Sequence, residues 1–166
     1  MTNLNPSPTV AYIGMGANLG DAIGTLLKAC EALHQLEHTT DVRISGFYQT
    51  APVDADGPDY INAVAAITTR LTAPALLQAL LAIENEHGRE RNYPNAPRTL
   101  DLDLLLYGNE QFALPDLTVP HPRLHLRAFV LHPLAELAPT LQLAQGPIQD
   151  LLQRVADQPI RSLDQD

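Results

Sequence analysis

The stretch Arg98-Thr99-Leu100-Asp101-Leu102-Asp103-Leu104-Leu105-Leu106-Tyr107 puts leucine at positions 100, 102, 104 and 106. Asp101, Asp103, Leu105 and Tyr107 take the alternate places. A period of two over this length predicts a β-strand, because successive side chains leave opposite faces of a pleated sheet. The even-numbered leucines then face a core, and the two aspartates share the other face. Carboxylates at i and i+2 lie roughly 7 Å apart along a strand, and their repulsion is relieved by a cation between them. Magnesium suits such a pair, since it takes one or two carboxylates and completes its shell with water and substrate phosphates. A solvated strand face is the plain alternative, and the surroundings decide between the two.

Those surroundings are rich in arginine. Residues 89–127 contain Arg89, Arg91, Arg98, Arg123 and Arg127, balanced by Glu90, Asp101, Asp103, Glu110 and Asp116. This segment is neutral, so the rest of the chain carries the whole net charge of −9. That charge disfavours nonspecific binding to nucleic acid or to an anionic membrane. Arginine forks match phosphate oxygens bidentately, so a small polyanion near the aspartates is expected. Residues 89–97 have no period and read as a loop that brings Arg89 and Arg91 beside the strand.

Working outward, Thr9 to Gly16 reads as a first strand ending in a glycine turn. Ile23, Leu26, Leu27, Cys30, Leu33 and Leu36 give a helical stripe over about 21–36. A second strand is expected over about 42–50, and a loop over 51–58, marked by its prolines and Gly57. A third strand over about 60–70 turns Ile61, Ala63, Ala65 and Ile67 to the core. Tyr60 and Asn62 are left on the opposite face, where a ring and an amide suit a flat heterocycle or plain solvent. Thr72, Pro74 and Gly88 bracket a second helix whose buried stripe is Leu76, Leu77, Leu80 and Ile83. Leu117 to Val119 reads as a short edge strand, 122–137 as helix interrupted at Pro133, and 148–155 as a last amphipathic helix. The order βαβ, βα, β predicts an α+β fold of the ferredoxin-like, split βαβ kind. In it a mostly antiparallel sheet carries helices on one face and holds a ligand on the other, open face. Residues 1–8 are expected to be a flexible tail, 9–156 a single domain and 157–166 a loose tail.

Other constellations are weaker. Gly14-x-Gly16-x-x-x-Gly20 imitates a dinucleotide-binding fingerprint but is one residue too long, and too few βα units are present for the parallel sheet it needs. A tight turn is the expected role. His121, His125 and His132 lack the spacing and the cysteines of a zinc site. His121 reads better as a phosphate donor. Cys30 lies on the apolar helix face, and a single cysteine fits a reducing cytosol. No secretion signal and no membrane-spanning run is visible. Phe129, close after Arg127, is either core or a lid over the ligand.

Taken together these residues resemble the hydroxymethyl-dihydropterin pyrophosphokinase family of folate biosynthesis. The resemblance is carried by Ala96-Pro97-Arg98-Thr99-Leu100-Asp101-Leu102-Asp103-Leu104-Leu105. Gly16-Ala17-Asn18-Leu19-Gly20, Ser45-x-Phe47-Tyr48-x-Thr50 and Pro58-Asp59-Tyr60-Ile61-Asn62-Ala63 add to it. So do Ile83-Glu84, Gly88-Arg89-x-Arg91, Val119-Pro120-His121 and Arg127-x-Phe129, all in the family's order over roughly 9–140. Asn95 and Pro122 stand where relatives often carry aromatic residues, with Tyr93 a candidate to cover the site, and the arginine loop is one residue short.

The resemblance implies transfer of pyrophosphate from the co-substrate ATP to the hydroxymethyl group of 6-hydroxymethyl-7,8-dihydropterin, with release of AMP. It implies two Mg2+ ions on Asp101 and Asp103, and a pterin sandwiched by Tyr60 and Phe129. Asn62 and the backbone of Thr50, Ala51, Pro52 and Val53 would read the pterin's polar edge. Arg89, Arg91, Arg98, His121 and Arg127 would contact ATP, with Glu84 at the nucleotide site and Arg89 and Arg98 serving catalysis alongside the aspartates. The enzyme is expected to be a cytoplasmic monomer with small-molecule substrates and no nucleic-acid or membrane partner. A noncatalytic pterin- or nucleotide-binding protein of the same fold is the alternative, and an NAD(P) oxidoreductase a distant third.

Overall fold

Ten strands and four α-helices make up the described part of the chain, residues 4–18, 20–51, 59–87 and 100–163 of a computed structural model. In chain order they are β1 (Leu4–Ala17), α1 (Ala22–His34), β2 (Thr39–Ile44), β3 (Tyr48–Thr50), β4 (Tyr60–Leu71) and α2 (Ala73–His87). Then come β5 (Asp101–Tyr107), β6 (Phe112–Leu114), β7 (Leu117–Val119), a 3-10 turn (Leu124–Leu126) and α3 (Ala128–Leu137). The chain closes with β8 (Gln142–Leu143), β9 (Gly146–Pro147), α4 (Ile148–Arg154) and β10 (Arg161–Ser162).

The main sheet runs β10-β3-β4-β1-β5, with β2 also paired to β4, and every pairing is antiparallel. β4 therefore lies between β1 and the β2–β3 pair, which is the split βαβ arrangement. α1 and α2 cover one face. Leu26, Leu33, Leu76 and Leu80 on the helices meet Ile13, Ala65, Ile67, Leu102 and Leu104 of the sheet in one buried cluster. Each fully buried leucine of this kind contributes about 2–3 kcal/mol. Thr72 caps α2 as expected, its carbonyl accepting from Leu76 N–H and its hydroxyl from Ala75 N–H.

The structure corrects several expectations in detail. The other sheet face is not wholly open. α3 and α4 pack on it through Val64, Leu105, Leu124, Leu131, Leu134 and Leu151, a second buried cluster. Only the part of the sheet beyond them is left for a ligand. α3 also runs through Pro133 rather than breaking there, since the lost backbone bond is outweighed by burying Leu131 and Leu134 on either side. The strand expected over 42–50 is two strands broken at Ser45–Phe47, where Ser45 Oγ accepts from Val64 N–H at 2.9 Å. Glu136 then pins α3 to the second of these strands, accepting from Tyr48 Oη at 2.6 Å. β7 pairs with β6 in a separate hairpin rather than edging the main sheet. Ile23 and Leu27 of α1 are exposed, and Leu26, Ala29, Cys30 and Leu33 form its buried stripe.

Neither tail is loose where it is described. β1 starts at Leu4, which pairs with Leu71, and Arg161 and Ser162 pair with Gln49 and Tyr48. The aspartate strand departs from strict alternation too. Tyr12 pairs with Leu106 and Ile13 with Leu104, so the ladder skips Leu105. This bulge turns Leu105 and Leu106 together into the second cluster and sends Tyr107 into the first. There the Tyr107 hydroxyl donates to Leu71 O and accepts from Asn5 Nδ2.

Candidate active site

Sheet register assembles the site. Gly16 pairs with Asn62 on one side and with Asp101 on the other. Gly14 likewise stands between Val64 and Asp103. With strands ~4.8 Å apart, Asn62 and Asp101 are held roughly 10 Å from one another across the glycine strand. Gly14 and Gly16 thus lie inside β1 and not in a turn, and Gly20, at φ +62°, makes the turn instead. A Cβ at position 16 would come 3.1 Å from Asn62 Oδ1. The missing side chains leave a low floor between a wall of Tyr60 and Asn62 and a wall of carboxylates.

That floor belongs to a cleft of about 820 Å³. Thr50, Ala51, Tyr60, Asn62, Asp101, Asp103, His121, Arg127 and Phe129 all line it. Nine of the residues singled out in the sequence, aromatic, amide, carboxylate and basic among them, therefore converge on one opening. Asn62 is buried, and its Nδ2 donates to Thr50 Oγ1 at 2.9 Å, which ties the end of β3 to the cleft. Phe129 is half-buried at the start of α3, and Arg127 places its guanidinium 5.4 Å from the ring centroid. This cation–π contact orders both side chains at the rim.

Glu84 is the exception. It is buried on α2 and is not part of the cleft lining. Its Oε2 accepts from Leu102 N–H at 2.7 Å, so it supports the backbone between the two aspartates from beneath. Arg89, Arg91, Arg98, Pro52 and Val53 lie outside the described residues, as do the 89–97 loop and nearly all of the 51–58 loop.

His121 follows a cis Val119–Pro120 peptide, and its N–H donates to Leu105 O, the carbonyl at the bulge, at 3.0 Å. Its Nδ1 accepts from Arg123 N–H at 3.2 Å. The proton of the neutral ring is then on Nε2, where it can be donated to an acceptor such as a phosphate oxygen. Desolvation lowers the His121 pKa below 6.5, and Arg127 and Arg123 push the same way against the pull of Asp103. The sign follows by linkage. Below pH 6.5 the unfolded chain binds the proton that the folded ring resists, so stability is full above pH 6.5 and falls as pH drops towards the folded pKa. His121→Gln should flatten that part of a stability-against-pH curve, measured by denaturant unfolding. A curve unchanged by the substitution would contradict a lowered pKa.

Asp101 and Asp103 are the carboxylates that could hold a metal ion in the cleft. They leave β5 on the same face, they open into the cleft, and Asp103 is exposed without an ion-pair partner among the described residues. No third His, Cys, Asp or Glu joins them in a cluster among the described residues. Cys30, by contrast, is inert packing, with burial pushing its thiol up to about 11.

The model of the 7,8-dihydro-6-hydroxymethylpterin-pyrophosphokinase family matches residues 12–139. The chain belongs to that family. It is 46% identical to a 2-amino-4-hydroxy-6-hydroxymethyldihydropteridine pyrophosphokinase of Haemophilus influenzae over 149 residues, covering 89% of this chain and 93% of that one. It is 46% identical to the Pseudomonas aeruginosa protein of the same name over 136 residues, 81% of this chain and 84% of that one. Among solved structures, it is similar to the wild-type Plasmodium falciparum HPPK-DHPS with pteroate, at TM-score 0.74 and 12% identity. That match covers 95% of this chain and 44% of the longer one, and it bears on the fold. The family's own match runs from within β1 to just past the end of α3, the elements that build the floor and both walls of the cleft.

Sequence reasoning missed Arg123, Gln158 and the two floor glycines, all of which line the cleft. The glycines had a signal, since they sit two apart in a strand, as the aspartates do. Arg123 belonged to the arginine-rich segment, but its spacing from His121 gave no reason to single it out.

Proposed function

We infer that this chain is an ATP-dependent pyrophosphokinase. It transfers the β,γ-diphosphate of ATP to the hydroxymethyl oxygen of 6-hydroxymethyl-7,8-dihydropterin, with AMP as leaving group, in folate biosynthesis. The observation that carries this reading is the convergence of a carboxylate pair, a basic rim and an aromatic–amide wall on one cleft in a chain of this family.

The roles follow from the chemistry each group offers. Tyr60 and Phe129 stack on the pterin from two sides, and the Asn62 amide, with Thr50, Ala51, Pro52 and Val53, reads its polar edge. Arg127 and His121 hold phosphate oxygens, joined by Arg89, Arg91 and Arg98. Glu84 acts on the nucleotide side only through the strand it supports. Asp101 and Asp103 would hold two magnesium ions, which would supply charge neutralisation of the triphosphate and Lewis-acid polarisation of the phosphorus under attack. In the transfer the hydroxymethyl oxygen forms a bond to the β-phosphorus, the bond from that phosphorus to the α,β-bridging oxygen breaks, and the hydroxyl proton is lost. Such a reaction needs alignment and charge neutralisation more than a covalent nucleophile. In this reading the enzyme works as a monomer on small-molecule substrates. A lone buried cysteine fits a reducing cytoplasm. Residues 9–156 with the C-terminal strand act as one catalytic domain.

The test is a turnover assay for AMP. AMP should appear only when Mg2+, ATP and the pterin are all present, and AMP formation without pterin, or none with all three, would refute the assignment. Within the site, Phe129→Ala should weaken pterin binding by about 1–3 kcal/mol, the range for losing an aromatic stacking partner. Nucleotide affinity should change by less than about 1 kcal/mol, through the lost contact to Arg127. Calorimetry separates the two, and equal losses for both ligands would make Phe129 a packing residue.

A further inference from the structure

Gln158 and Pro159 fall in the segment 157–166 that the sequence presents as a tail, yet both line the cleft. Gln158 Oε1 accepts from Ala128 N–H at 2.9 Å, and its Nε2 donates to Leu126 O at 2.9 Å. The two bonds bracket Arg127, the residue at the N-cap of α3. Arg127 makes no side-chain capping bond of its own, and the Ala128 amide belongs to the first turn, where helices leave donors without intrahelical partners. Gln158 supplies that missing acceptor from thirty residues downstream. It is itself held on both sides. Its N–H donates to Val155 O at the end of α4, and Leu163 N–H donates to Phe47 O beyond the β10–β3 pairing.

We propose that Gln158 is a positioning residue, fixing the backbone of Arg127 so that its guanidinium meets the triphosphate in one orientation. The proposal rests on the phosphate role given to Arg127 above. A group displaced by about 1 Å can cost on the order of 10²-fold in rate, and a backbone freed on both sides of Arg127 permits such a displacement. Gln158→Ala should lower kcat by about 10-fold. In an Arg127→Ala background the same substitution should change kcat by less than about 2-fold, because the residue it aims is already gone. Gln158→Glu, which keeps an acceptor for Ala128 N–H but loses the donor to Leu126 O, should fall between. Amide exchange at Ala128 should be faster in Gln158→Ala, a readout independent of turnover.

Wild-type kcat in Gln158→Ala would overturn the proposal. An equal loss in both backgrounds would also overturn it, since Gln158 would then act on general stability and not through Arg127. Wild-type protein that makes no AMP would instead refute the phosphate role on which the proposal rests. In that case the Ala128 exchange rate still decides whether the clamp exists.

Discussion

Asp103→Asn lowers turnover by ~10³-fold or more while leaving stability within about 0.5 kcal/mol of the parent. The two halves of this expectation have separate causes. Asp103 is exposed on the cleft side of β5, between buried Leu102 and Leu104, so its carboxylate adds little to packing. An amide keeps the size and the strand but loses the charge that a divalent cation requires. Without that cation the triphosphate's charge opposes the attacking oxygen, and the basic rim alone offsets it only in part. Asp101→Asn should behave alike in turnover. A fully active Asp103→Asn enzyme, or wild-type turnover in the presence of a chelator, would contradict the metal assignment.

Glu84→Ala destabilises the protein by about 2 kcal/mol, and it lowers activity without contacting substrate. The carboxylate accepts from Leu102 N–H at 2.7 Å in a buried setting. Truncation leaves that amide without this acceptor, and an unmet buried donor costs about 1–3 kcal/mol. Leu102 lies between the two aspartates, so relaxation of its peptide also shifts their common face. Glu84→Gln retains an oxygen that can accept and should lose much less. Denaturant unfolding with an unchanged m-value separates a stability loss from a change in compactness. Glu84→Ala with wild-type stability and a large loss of nucleotide affinity would return Glu84 to the cleft.

The reach of the sequence, and its limits, show at particular residues. The alternation at 100–104 and at 60–67 sorted the helix-covered face from the cleft side, because one face of each strand packs in the cluster under α1 and α2 and a one-residue slip would reverse every side chain. This is why Tyr60, Asn62, Asp101 and Asp103 were found together. The alternation fails at Leu105, since a bulge is a property of two strands and depends on how Tyr12 and Ile13 meet their partners. Leu106 and Tyr107 exchange faces there without any mark in their own sequence. Pro133 reads locally as a break, yet α3 gains more from buried Leu131 and Leu134 than the missing bond costs. Glu84 was associated with the nucleotide, and its bond to the Leu102 N–H inside the core carried no mark in the sequence. Gln158 was invisible for a different reason. A glutamine in a polar, non-periodic segment carries no local signal, and its partners lie thirty residues away.

The central claim is chemical: two phosphates move together from ATP to the pterin hydroxymethyl group. Phosphorus NMR of a complete reaction with Mg2+, ATP and 6-hydroxymethyl-7,8-dihydropterin tests it most directly. The spectrum should show AMP and a pterin diphosphate rising in equal amounts, with one diphosphate phosphorus bonded through oxygen to the pterin carbon. ADP with a pterin monophosphate, or AMP with free pyrophosphate, would contradict it.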